Sequence, residues 1–325
     1  MDAAPPPDPL NRLRPPPTVG DRLVVRHLLP DGRATDLIGW LDRLDPDELR
    51  LADAGGELHR VVRSTVVAAR RVPVARGGPD PMRTTAEDLQ RVALPAWLAL
   101  AEPLGGWTLR AGGGFTGRAN SCLAVGEPGL PYPEAASRIT EFAARHGIEA
   151  RAQVVDGSEA EDRLRALGWV DTHVLSDVLV VRLNDLLGTG RPDARVRVGE
   201  TLTPQWEDAY RESRPGPVDA ATLRSILAGR PPYAFADAQQ DGRVIAIGRG
   251  HLSADWLGIA SVWTAPEHRR HGWAGRVLLA LGHWGARGGA RNVYLQVATD
   301  NEPAQRAYAE LGFRLHHRYR SLTPG

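Results

Sequence analysis

The stretch "VWTAPEHRRHGWAGRVLLALGHW", residues 262–284, decides how the rest of the chain is read. An apolar run passes Pro266, gathers Arg269, Arg270 and His271, meets Gly272 and then turns helical. Val277, Leu278, Leu281 and Trp284 recur at the spacing of one buried helix face. Where a strand hands over to a helix across such a loop, the first main-chain N–H groups have no intrahelical acceptor. Together with the helix dipole they form an anion site. Gly272 lets a bulky anion approach the backbone, Ala274 keeps the next turn small, and the two arginines add mobile positive charge. The combination suits a pyrophosphate. A solvated basic loop would use the same letters, but not between an apolar strand and an apolar helix face.

Composition narrows the field around this loop. A chain of 325 residues with 42% hydrophobic content can build two or three cores. Its net charge of +1 gives no bulk attraction to nucleic acid or anionic membrane, and aromatic residues do not interleave with basic ones. All 40 basic residues are arginine, so no lysine exists to be self-modified. The single cysteine, Cys122, forms no internal disulfide, in keeping with a reducing compartment. The first residues lack the apolar core of a signal peptide, and no apolar run approaches the ~20 residues of a membrane span. A cytoplasmic location is expected.

Residues 1–17 are proline-rich and expected to be disordered or extended. From 18 to 76, short Val/Leu-rich runs alternate with turn signals at 30–32, 45–48 and 54–57, a spacing that predicts a small all-β antiparallel barrel. Residues 84–185 read as α/β, with a capping pattern at Thr85 and Asp88 and a helix closing on Gly147. A Gly/Pro-rich joint leads to residues 195–322, where antiparallel strands precede a strand–helix–strand–helix run. That order predicts a mixed, mostly antiparallel sheet flanked by helices, an α+β arrangement.

Two motifs give this last segment a family. Arg269-Arg270-His271-Gly272-Trp273-Ala274 matches the Q/R-x-x-G-x-G/A signature of the GNAT superfamily of N-acetyltransferases. Some thirty residues on, "DNEPAQRAYAELGFR" places Asn301, Ala304, Tyr308 and Gly312-Phe313 in a second family pattern. The chain resembles that superfamily over residues 195–322. The order of parts, an SH3-like barrel, a degenerate GNAT half and an intact GNAT half, is similar to actinobacterial proteins of histone-acetyltransferase-like label.

The resemblance implies acetyl-CoA as cosubstrate, no metal, and direct attack of a primary amine on the thioester. Amides from Arg270 to Gly275 would hold the pyrophosphate, and main-chain groups of Val262, Trp263 and Thr264 would pair with the pantetheine arm. Tyr308 stands at the family's acid position, where it would protonate the departing thiolate; as a residue alone it serves equally as a core aromatic. Asn301 would contact the pantetheine or fix the loop, against a plain N-cap role.

No general base carries over. Fourteen residues before Gly272, where several family members have a glutamate, stands Gly258. Asp255, Glu267 and His251 are the remaining candidates, and the base stays unassigned. The histidines at 268, 271, 283, 316 and 317 lack metal-ligand spacing.

Aligning Gly168 with Gly312 puts Leu164 at the place of Tyr308 and Gly157 at that of Asn301. Pro131 and Pro133 remove amide donors from the matching loop. Residues 84–185 therefore read as a degenerate copy lacking both cradle and acid. Its expected task is to complete the acceptor cleft, with Trp107 and Arg118 as candidate walls. The acceptor, whether small amine, peptide N-terminus or lysine side chain, and the oligomeric state are left open. A non-catalytic acyl-CoA sensor or partner-binding module is the alternative to an enzyme.

Overall fold

The computed structural model of the chain describes residues 8–325 apart from 55, 76 and 217, and the backbone alone at 173 and 174. It divides into a smaller unit built on the residues up to Gly77 and a larger one on residues 78–285 and 290–325.

In the smaller unit the turn signals fall between strands. Strands β1 (Arg22–Leu28), β2 (Ala34–Leu44), β3 (Glu48–Ala52), β4 (Leu58–Val62) and β5 (Val66–Arg71) form one antiparallel sheet in the order β4-β3-β2-β1-β5. Inward positions supply a core of Leu23, Val25, Leu41, Leu49, Leu51, Val61 and Val66. The expectation of a disordered or extended segment to residue 17 fails for residues 8–12. Pro9–Arg12 forms a 3-10 turn, capped where the Asp8 carboxylate accepts from Leu10 N at 2.8 Å, and Leu10 lies 1% exposed in the barrel core. Proline presets the turn, and one leucine fills the barrel's open end. Residues 1–7 lie outside the described residues.

The larger unit begins with α1 (Ala86–Ala93), whose Thr85 cap accepts from Asp88 N at 3.1 Å as the capping pattern predicts. Then follow β6 (Leu100–Leu104), β7 (Trp107–Ala111), β8 (Cys122–Ala124), α2 (Tyr132–Arg145), β9 (Ala152–Val155), α3 (Glu159–Ala166) and the long β10 (Trp169–Arg182). The second half runs α4 (Leu183–Gly188), β11 (Val196–Gly199), α5 (Pro204–Ser213), α6 (Ala220–Leu227), β12 (Tyr233–Gln240), β13 (Arg243–Ser253) and β14 (Trp256–Thr264). It ends with α7 (Trp273–Arg287), β15 (Asn292–Ala298), α8 (Glu302–Glu310) and β16 (Arg314–Pro324).

The two segments read as separate domains, 84–185 and 195–322, share one sheet of eleven strands ordered β11-β12-β13-β14-β15-β10-β16-β9-β8-β7-β6. Strand β10, from the first half, pairs with β15 of the second; β16, which ends the second half, pairs with β9 of the first. At the centre β10 and β16 run antiparallel, Trp169 opposite Pro324 and Val180 opposite Arg314. Each half is thus finished by the other's last strand. The repeat is visible in the pairing itself: β8 with β9 and β14 with β15 are parallel, and the other pairs of this sheet are antiparallel.

Helix α7 lies close on β13 because Gly248 and Gly250 leave room. A Cβ at Gly248 would fall 2.5 Å from Val277 Cγ1, and one at Gly250 would fall 3.2 Å from Leu281 Cδ2. No helix among the described residues is long and apolar enough to cross a membrane.

Candidate active site

Strand β14 begins in register with β15, Trp256 to Ile259 opposite Asn292 to Leu295, and there the parallel pairing stops. On its other edge β14 carries one extra residue: Ile247 to Arg249 of β13 spans Trp263 to Ala260 of β14. Ser261 within this bulge takes φ +55°. A bulge bends its strand, and here β14 leaves β15 while staying paired to β13. Residues 260–264 consequently have a main-chain edge with no strand partner on the β15 side. In the first half all of β8, Cys122 to Ala124, pairs with β9, so the matching gap is shut.

Beyond β14 the loop from the opening motif prepares the start of α7. The amides of His268 and Arg269 are used by Ala265 O and Pro266 O, and the next main-chain donor to find a carbonyl is Arg276, on Gly272 O at 3.2 Å. Among the described residues no protein acceptor meets the amides of residues 270–275. Arg270 and Gly272 both adopt positive φ, +64° and +76°, which turns successive amides toward one side. A Cβ at Gly272 would meet nothing closer than 3.9 Å, so the space over the loop is open.

Arg276, which the motif does not mark, locks the loop in place. Its Nη1 donates to His271 O at 2.6 Å, its Nε lies 3.0 Å from Asp193 Oδ2, and its guanidinium stacks 4.7 Å from the Trp273 ring centre. Arg195 covers that ring at 4.9 Å. Hydrogen bonds from Arg195 hold the Asp193 carboxyl down at about 2. The side chain of Trp273 is therefore part of the scaffold, and only its amide faces outward. Arg270 and His271 are exposed; Arg269 is exposed with Nε on Thr264 O at 3.2 Å. Val262 packs its side chain toward Gly248, and Trp263 packs on the core of α5 and α6.

Tyr308 lies on α8, 9% exposed, its ring centre 5.9 Å from that of Phe313. Burial pushes its phenol up to about 12, and no protein group among the described residues bonds its hydroxyl. Leu311, three residues on, meets the α7 start: a Cβ at Gly275 would fall 3.7 Å from its Cδ2. Asn301 is the N-cap of α8, its Oδ1 accepting from Ala304 N at 3.3 Å, and its amide nitrogen is uncommitted.

The base candidates resolve differently. Gly258 cannot hold a carboxylate because Tyr294 occupies the space; a Cβ there would fall 2.5 Å from Tyr294 Cζ. Glu267 is exposed and paired with Arg243 at 3.2 Å, and Asp255 sits in the turn before β14. His251 is 2% exposed, with Nε2 3.1 Å from Arg230 O and Nδ1 sealed without a partner. Burial, then the neighbouring Arg249, lowers it to about 4, leaving it neutral.

Below the point where β14 and β15 part, a narrow cleft is lined by Trp97, Arg118, Arg249, Ala260, Tyr294 and Gln296, among others. Arg118 is brought here from the first half. Trp107 is not: it is 1% exposed in the first half's own core, donating to Gly126 O. Trp97, in the 3-10 turn after α1, is a wall that sequence reading did not mark.

Compared with solved structures, the fold of the larger unit is that of the GCN5-related N-acetyltransferases. The one from Kribbella flavida matches with a TM-score of 0.55 over 75% of this chain and 97% of its own, at 18% identity. The chain is an acyltransferase of this GNAT type. More narrowly, it belongs to the family of the probable histone acetyltransferase Rv0428c, whose C-terminal family model matches residues 88–322 and whose N-terminal Sm-like domain model matches residues 17–70. The Mycobacterium tuberculosis protein of that name is 30% identical over 313 residues, 94% of this chain and 95% of its own. The uncharacterized N-acetyltransferase YobR of Bacillus subtilis is 24% identical over 247 residues, 71% of this chain and 96% of its own. The barrel read as SH3-like is thus matched as Sm-like, and one model spans both halves of the larger unit.

Proposed function

We propose that the chain transfers an acetyl group from acetyl-CoA to a primary amine at the gap between β14 and β15. The observation that carries this reading is the coincidence of that gap with six main-chain amides, residues 270–275, that have no acceptor among the described residues. These amides and Arg270 would receive the pyrophosphate, and the free edge of Val262, Trp263 and Thr264 would pair with the amides of the pantetheine arm. Asn301 has an amide nitrogen left over from capping to add a contact there.

When bound, acetyl-CoA supplies an activated acyl carbon: the amine nitrogen bonds to it, the carbon–sulfur bond breaks, and CoA departs as its thiol, with one proton lost from the amine. Tyr308 keeps its proton at neutral pH and would donate it toward the sulfur. A thiol near 8.5 against a phenol near 12 makes full transfer uphill by about 5 kcal/mol in separate surroundings. Tyr308 therefore acts first as a hydrogen-bond donor, and as an acid to the extent that the closed cleft raises the thiol too. With no carboxylate at Gly258, the amine's own proton would leave through water.

The test is release of free thiol from acetyl-CoA across a panel of amines. Cys122 does not interfere: it is 2% exposed and burial raises its thiol to about 12. Turnover with one amine class above the hydrolysis background is expected. Tight acetyl-CoA binding with no turnover on any amine would instead favour an acyl-CoA sensor.

A further inference from the structure

Many arginines of the described residues pair with a carboxylate, but the two at the cleft do not. Arg249 is 1% exposed and donates Nε to Leu227 O at 2.7 Å and Nη2 to Ala96 O at 3.0 Å, both neutral carbonyls. Arg118 donates Nε to the Tyr319 hydroxyl at 2.9 Å. The two guanidinium groups lie on Trp97, 5.4 and 5.3 Å from its ring centre. No Asp or Glu lines the cleft among the described residues, and Arg249 stays cationic at neutral pH, its burial lowering it only to about 10. Nη1 of Arg249 and both terminal nitrogens of Arg118 have no protein acceptor among the described residues. Arg110, a buried arginine of the first half, is likewise held by neutral acceptors, Ser121 O, Ser121 Oγ and Gln153 Oε1 at 3.0, 2.6 and 2.9 Å, but it does not line the cleft.

A buried cation without a counter-charge is costly unless an anion arrives. We propose that this cleft binds a carboxylate of the acetyl acceptor, so that the acceptor is an amino acid or a similar small amino carboxylate. The proposal rests on the acetyltransfer reading for the amine but not for the anion. Two planar guanidinium groups, 5.3 and 5.4 Å from the centre of one indole ring, offer donors that suit a flat carboxylate. The cleft, about 10 Å³, has room for about one water, so a carboxylate would sit at its mouth near Ala260, the first residue after the strands part, with the amine of a short molecule toward the gap. Cationic acceptors, lysine-rich peptides among them, meet like charge here. Arg118 comes from the half without a cradle, which makes that half the specificity element.

The test is calorimetric titration of the full chain, with and without CoA, using α-amino acids and short ω-amino acids, each beside its own carboxamide, and aminoethyl phosphate. At least one carboxylate is expected to bind about tenfold or more tightly than its amide. Arg118→Gln is expected to bring that ratio near one while Arg118→Lys retains part of it, each variant melting within a few degrees of the parent. Amides binding as well as carboxylates, no carboxylate binding, a ratio that survives Arg118→Gln, or the phosphate outcompeting every carboxylate would each overturn the proposal. Binding is read without acyl transfer, so this test and the thiol-release test fail independently.

Discussion

Tyr308 carries the sharpest single-residue expectation. Removing only its hydroxyl, Tyr308→Phe, keeps the ring against Phe313 and is expected to lower kcat about 100-fold or more, with KM for acetyl-CoA little changed, by steady-state thiol release. Unchanged kcat would take Tyr308 out of the chemistry. His251 makes a pH prediction. Its folded value near 4 lies below the ordinary 6.5, so the unfolded chain binds the proton more readily. The stability this gives is complete above about pH 6.5 and is lost as pH falls toward 4, by up to roughly 3 kcal/mol. Melting temperature against pH should show that slope in the parent and a shallower one in His251→Asn. At this scale Tyr308 and the 269–275 loop were legible in the sequence because helix spacing and a glycine are local signals. Trp97, Arg249 and Tyr294 were not, since which strand faces lie together depends on pairings across more than a hundred residues.

The loop before α7 works as an element, not as a list of side chains. Its expected contact groups are mostly main chain, while Arg276, Asp193 and Arg195 fix it from behind around Trp273. Gly272→Ala is expected to cost about 1–2 kcal/mol of left-handed strain at φ +76°. Because the new methyl meets nothing closer than 3.9 Å, the cost should appear chiefly as a KM for acetyl-CoA raised about tenfold, with little loss of melting temperature. A large drop in melting temperature with KM unaltered would show that the glycine serves packing instead. The motif marked the turn before α7, where the amides of residues 270–275 have no acceptor among the described residues. It could not show that β14 bulges at Ser261, because one extra residue in a strand leaves no periodic trace.

Across the whole larger unit, the duplicate was readable from the sequence but its joinery was not. Both halves announce strand, turn, helix, Gly-aromatic and strand; nothing in either announces that the last strand crosses over. A fragment of residues 189–325 lacks β10 and so exposes an apolar edge of β15, an aggregation site. It is expected to be insoluble or unfolded by circular dichroism, while co-expression with residues 78–188 restores a soluble complex. A soluble, folded fragment alone would mean the second half needs no partner strand.

The crossover also bears on how such a protein can change through descent. After duplication, either copy could drift in its loops, yet deleting one would take the last strand from the other's sheet. A module held in this way becomes permanent scaffolding. New selectivity can then be built on its surface without disturbing the chemistry next door.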